Sequence, residues 1–229
     1  MLRLILGILI LTVGVSSLVI PANDSRIYHT EWNWYTDKTL GSIETANPGA
    51  YIKTTFTGAF IGITFDAPLL NIPYCTLAWS IDDGPEQDVQ LPVPGGFLYL
   101  ASNLDKTKNH SLYLFVKNAL QSQDRWYGPS IRIRVLSVSI EDEATLYPPK
   151  LASKRLLAYW DSIGEGVEVY GSNGDLASND AHVTWAFSLS HAIDTELSLV
   201  AWGAQGYTVT GAGNVPPLWN NDGQANTSA

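Results

Sequence analysis

The residue best placed to do covalent chemistry is Ser162, in the run Trp160-Asp161-Ser162-Ile163-Gly164-Glu165-Gly166. A serine hydroxyl becomes a useful nucleophile only when a base removes its proton and N–H donors hold the oxyanion that forms. The candidate bases are His29, His110, His182 and His191, the four histidines of the chain. His182 and His191 sit on the helix expected over residues 181–193, and neither follows a strand that could aim it at Ser162; surface or capping roles suit both. The bland reading of Ser162 is a turn serine that caps the next segment. The histidines form no helical i, i+4 pair and lie near no carboxylate cluster, so no metal site is expected. Cys75 stands alone, which excludes an internal disulfide framework, and it reads as a small buried hydrophobe. Gly211-Ala212-Gly213 lacks the strand before it and the helix after it that a phosphate loop requires.

Such a serine needs a strand to carry it and a helix to receive it. Leu156-Leu157-Ala158-Tyr159 is a short apolar strand that ends at the Asp161-Ser162 run. Val183, Ala186, Phe187, Ser190 and Ala192 then recur at nearly helical spacing over residues 181–193, and a second apolar strand covers 197–202. Strand, turn, helix and strand in that order open a parallel α/β sheet.

Residues 26–140 read differently. Short β-type runs at 51–56, 59–65, 75–81, 110–117 and 130–140 are separated by turn residues. Asp82-Asp83-Gly84-Pro85 predicts a tight hairpin with its positive φ on the glycine. In the last run the apolar phase changes between Val135 and Leu136, which predicts a β-bulge. Strands so spaced close into a sandwich or jelly roll. Residues 141–155, with Pro148-Pro149, read as a linker. Trp32, Trp34, Tyr35, Trp126 and Tyr127 offer either flat platforms for sugar rings or core packing.

The chain has 229 residues, 45% hydrophobic and 15% charged, enough apolar material for a packed core. Its 13 basic and 22 acidic side chains leave a net charge of −9, which argues against nucleic acid as a partner. After Arg3 an uncharged run extends from Leu4 to Ile20. Residues 1–22 therefore read as a secretory signal peptide, with cuts available near Ser17 and after Ala22 and no stable membrane insertion once cleaved. The alternative is an uncleaved anchor. Sequons at Asn23, Asn109 and Asn226 fit export and glycosylation.

The Asp161-Ser162 run resembles the first block of the SGNH, or GDSL-type, hydrolases, in which Gly-Asp-Ser at a strand end carries the nucleophile. Gly203-Ala204-Gln205-Gly206 follows the second strand, and Gly206 matches that family's oxyanion-hole glycine, 44 residues after Ser162. The whole order is similar to two-domain carbohydrate esterases: a leader, a jelly roll at 26–140 and the start of a flavodoxin-like α/β domain at 156–229. The resemblance implies a secreted, cofactor-free serine esterase that deacetylates a carbohydrate. Ser162 would be its nucleophile, Ser162 and Gly206 would supply the oxyanion-hole N–H groups, and Asp161 and Gly166 would support the turn. It departs from the family at Trp160, where the family has glycine, and in lacking the third-block Asn and the final Asp-x-x-His. The hydrolase domain is accordingly expected to be cut short after its second strand, leaving Phe187, Trp202, Tyr207 and Trp219 as an apolar patch that either packs onto the sandwich or promotes aggregation. The alternative is a non-catalytic secreted protein that binds carbohydrate or a partner.

Overall fold

The computed structural model describes residues 16–66, 74–91, 93–121, 124–127, 132–171 and 176–218. The apolar run before Ser16, Asn226 and Trp219 lie outside them. Among the described residues the chain forms two six-stranded antiparallel sheets and one parallel pair.

The first sheet contains β1 (Ser17–Pro21), β3 (Tyr35–Asp37), β4 (Ser42–Thr45), β6 (Ile61–Asp66), β9 (Gly95–Ala101) and β11 (Ile133–Glu141), ordered β3-β4-β11-β6-β9 with β1 also on β11. The second contains β2 (Tyr28–His29), β5 (Tyr51–Phe56), β7 (Thr76–Ile81), β8 (Gln87–Gln90), β10 (His110–Asn118) and β12 (Leu146–Tyr147), ordered β12-β5-β10-β7-β8 with β2 also on β5. Alternation makes the sandwich. Ile52, Thr54 and Phe56 of β5 and Leu112, Leu114 and Val116 of β10 face Ile43, Ile61, Ile63, Val135, Val138 and Ile140 of the first sheet, all buried.

The phase change in β11 is a real slip. Val135 pairs with Phe65, but Ser137 pairs with Thr64, so two residues of β11 oppose one of β6 and Val138 and Ile140 return to the core. The 82–85 hairpin also forms, with Gly84 N–H donating to the Ile81 carbonyl at 2.9 Å. Its positive φ falls on Asp82 (55°) and Asp83 (54°) rather than on Gly84. Aspartate tolerates that region better than most side chains. The Asp82 carboxylate is also held there by His110 Nδ1 and by Ser111 N–H, both at 2.7 Å.

Two stretches belong more to the sandwich than their sequence suggests. Ser17–Pro21, inside the expected leader, pairs with β11 from Ser137 to Glu141, with Ile20 and Ala22 buried in the core. Within the expected linker, Leu146 is buried and pairs with Phe56, and the Ala152 N–H donates to the Glu196 carboxylate at 3.0 Å.

The parallel pair is β13 (Lys154–Trp160) with β14 (Thr195–Ala201), connected through α1 (Ser162–Glu165) and α2 (Trp185–Ala192), with a 3-10 turn at Ala181–Val183 before α2. Ala186, Phe187 and Ser190 form the buried stripe of α2, whereas Val183 and Ala192 are exposed. A second apolar cluster joins this stripe and Leu197, Leu199 and Ala201 to Tyr51, Ala78 and Phe115 on the outer face of the second sheet. Val200, Trp202 and Val215 join the sandwich core itself. Of the expected patch, Phe187 and Trp202 pack onto the sandwich, the first of the two expected outcomes, while Tyr207 stands out in solvent.

Candidate active site

Parallel pairing of Trp160 with Ala201 brings the C-terminal ends of β13 and β14 to one edge. Ser162 lies just past the first end, and Gly203 to Gly206 just past the second. Asp161 caps α1: its carboxylate accepts the Ile163 N–H at 3.0 Å and its carbonyl accepts the Glu165 N–H at 3.1 Å. Neither bond uses the Ser162 N–H, one of the first-turn donors a helix leaves without an internal partner. The Ser162 side chain is half-buried. Gly166 ends the turn with φ 80°, and a Cβ there would run into the Asp180 backbone, whose N–H donates to the Gly166 carbonyl at 2.9 Å. Trp160, where a glycine would leave open space, lies over Gly164 and meets Trp185 edge to face with ring centroids 4.9 Å apart.

The residue that sequence reasoning missed is Glu165. It is buried, ion-paired with the fully buried Arg125, and accepts the Gly203 N–H at 2.7 Å and a Gln121 amide proton at 3.3 Å. Arg125 also lies 5.6 Å from the Trp202 ring. One carboxylate therefore fastens the serine turn to the loop after β14 and to the segment before β11. Its sequence signal was an acid in an otherwise apolar and glycine-rich turn.

The loop after β14 turns at once: Gln205 N–H donates to the Trp202 carbonyl at 3.1 Å, and Ala204 has φ 58°. Gly206 lies three residues beyond Gly203. Its N–H donates to the Val209 carbonyl at 3.1 Å, so in this arrangement it is engaged within the loop.

Each histidine has its own surroundings. His29 Nε2 meets the Thr36 hydroxyl at 3.2 Å, and burial pushes its pKa down to about 4. His110 bridges Asp82 and the Asp105 carbonyl; burial would lower its pKa, but these hydrogen bonds outweigh it and raise it. His182 stacks on Phe115 with centroids 4.0 Å apart and meets the Tyr113 hydroxyl at 2.9 Å, and burial together with nearby His191 lowers its pKa to about 4. His191 lies at the exposed end of α2, 6.1 Å from the His182 ring. The structure does not bring any of them to Ser162. Among the aromatic candidates Trp34 and Trp126 are core, while Trp32, Tyr35 and Tyr127 are exposed. Cys75 is buried, its pKa pushed up to about 12 by that burial. Asn109 is exposed just before β10, and Asn23 is half-buried beside Gly41.

No protein-family model matches the chain, and no curated protein matches it. Solved structures do. The fold is similar to a family two carbohydrate esterase from Cellvibrio japonicus, at 18% identity with a TM-score of 0.70 over 89% of this chain and 57% of that one. An acetyl xylan esterase from Butyrivibrio proteoclasticus matches at 18% identity and a TM-score of 0.67, over 86% of this chain and 51% of that one. A Clostridium thermocellum family two carbohydrate esterase in complex with cellohexaose matches at 16% and 0.63, over 83% of this chain and 55% of that one. The chain spans between half and three-fifths of the length of these structures, and it shares with them the fold of carbohydrate esterases.

Proposed function

We propose that the chain is the sandwich and the opening of an α/β domain from a secreted SGNH-type serine esterase that removes acyl groups from a carbohydrate. The observation that carries this reading is the position of Ser162, in a capped turn at the end of β13, beside the loop that follows the parallel β14. Ser162 Oγ attacks the acyl carbon and gives up its proton to the base; the Ser162 and Gly206 N–H groups receive the oxyanion, the latter after the 206–209 turn lets go of the Val209 carbonyl. Collapse of that intermediate breaks the bond to the sugar oxygen, which takes the proton back from the base and leaves as a hydroxyl, and water then hydrolyses the acyl-serine to release the acid and restore the serine hydroxyl. Asp161 and Gly166 hold the turn. The resemblance assigns the acid and base to an Asp-x-x-His block, which the sequence given does not contain. That those neighbours include an acetyl xylan esterase and an esterase in complex with cellohexaose supports an acylated polysaccharide as substrate.

In the full-length protein, acetate release from acetylated xylan should fall by about three orders of magnitude or more in Ser162→Ala. Turnover that survives the substitution places the nucleophile elsewhere. The four histidines, all occupied away from Ser162, favour a second reading for the chain on its own: a non-catalytic carbohydrate-binding module. In that case Ser162→Ala changes nothing measurable.

Export follows from the Leu4–Ile20 run. No helix among the described residues is long and apolar enough to cross a membrane. Because β1 is part of the first sheet, the leader cut belongs near Ser17 rather than after Ala22.

A further inference from the structure

A cleft of about 420 Å³ opens between the outer face of the second sheet and α2, and its lining does not include Ser162. The sheet's own alternation makes it. Outward side chains at one end, Tyr51, Ala78 and Phe115, are covered by α2 and β14. At the other end the outward positions are Lys53, Thr55, Ser80 and Ser111, brought side by side by the pairings of Thr55 with Ser111 and of Tyr113 with both Lys53 and Ser80. The hydroxyls of Thr55 and Ser80 have no protein partner among the described residues. Lys53 is fixed rather than free: its ammonium donates to Glu196 at 2.7 Å and rides 5.1 and 5.4 Å from the rings of Tyr51 and Tyr113. That contact uses one of its three protons and leaves the others for a ligand.

Charge decides the class of ligand. Lys53 and Lys150 are offset by Asp83 at the rim and by Glu196 beneath, so the cleft carries no net formal charge. A simple anion or cation gains little there. A purely apolar ligand would strand the hydroxyls and the ammonium. A ligand with many hydroxyls and one apolar face satisfies both the polar floor and the half-buried ring of Tyr113, and the volume falls within the range of small-ligand sites. We propose that this cleft is a second carbohydrate site, for a neutral mono- or disaccharide unit, separate from Ser162. It holds a sugar whether or not Ser162 performs hydrolysis.

The test is saturation-transfer NMR and titration calorimetry on this chain with cellobiose and xylobiose, and with glucuronate and sulfate as charged probes. At least one disaccharide should bind with a Kd on the order of 1 mM. The double variant Thr55→Val, Ser80→Ala should weaken it about tenfold or more, the exchange Thr55→Ser, Ser80→Thr should retain it, and Ser162→Ala should leave it unchanged. Melting curves establish that each variant is folded, and Ser80→Ala alone serves if the pair is not. Binding of neither disaccharide, tighter binding of glucuronate or sulfate, indifference to loss of the hydroxyls, or loss of binding in Ser162→Ala would each overturn the proposal.

Discussion

The Arg125–Glu165 pair is the residue-scale feature on which the serine turn most depends. Both side chains are buried, and Glu165 also holds the Gly203 N–H. Removing one member leaves an uncompensated buried charge or unsatisfied donors, at a cost of about 3 to 5 kcal/mol. Arg125→Met should therefore lower the denaturant midpoint markedly, whereas Arg125→Met combined with Glu165→Gln should recover part of the loss. Equal midpoints for Arg125→Met and wild type would show the pair to be idle.

Two partly buried histidines make the fold sensitive to acid above pH 4. The pKa of His29 and that of His182 lie near 4 in the fold, below the value of about 6.5 for an unfolded chain. Between those values the unfolded state binds protons that the native state refuses, so the contribution of these two histidines to stability falls as pH drops from 6.5 towards 4 and levels off below. The shift at His182 corresponds to roughly 3 kcal/mol at most. His110, with its pKa raised, acts in the opposite sense: its contribution is present below 6.5 and lost as pH rises through its folded value. Melting temperatures measured from pH 7 to pH 4 should fall, with a shallower slope in His182→Gln; an unchanged slope would contradict the assignment.

At the scale of elements, legibility followed periodicity. The strands β5, β10 and β11 announce themselves by alternation, and the slip at Leu136 was visible as a change of phase. Gln87–Gln90 has Val89 as its single apolar residue, and Tyr28–His29 and Leu146–Tyr147 are two residues each, so none carries a period to read. β1 was hidden for a different reason. Its Leu18, Val19 and Ile20 continue an apolar run that local sequence reads as leader, and only the unpaired edge of β11 reveals them as strand. Ser16 adds to the tie, its hydroxyl donating to Asp142 at 2.7 Å. N-terminal sequencing of exported protein should begin between Ser16 and Leu18. A chain that begins at Asn23 would lack Ile20 and Ala22 of the core and would contradict the placement of the cut.

Over the whole molecule, the parallel pair is less of an appendage than its sequence suggests. Reading 156–229 as a fragment leaves open whether Phe187 and Trp202 pack onto the sandwich or stay exposed, because nothing local decides between the two. In the fold Trp202 lies in the sandwich core and Phe187 against Tyr51 on the outer sheet, with ring centroids 6.5 Å apart. Glu196 completes the join, buried between Tyr51 at 2.6 Å and Lys53. Limited proteolysis should therefore leave β13 and β14 associated with the sandwich. Early release of a core limited to residues 26–140 would contradict that packing.

The central claim is that Ser162 is a nucleophile, and covalent capture tests it most directly. The full-length protein is treated with a fluorophosphonate, digested and mapped by mass spectrometry. The account predicts a single stoichiometric adduct on the peptide containing Ser162, absent in Ser162→Ala and lost together with ester hydrolysis. An adduct on another residue, or full hydrolytic activity with Ser162 unmodified, would contradict it.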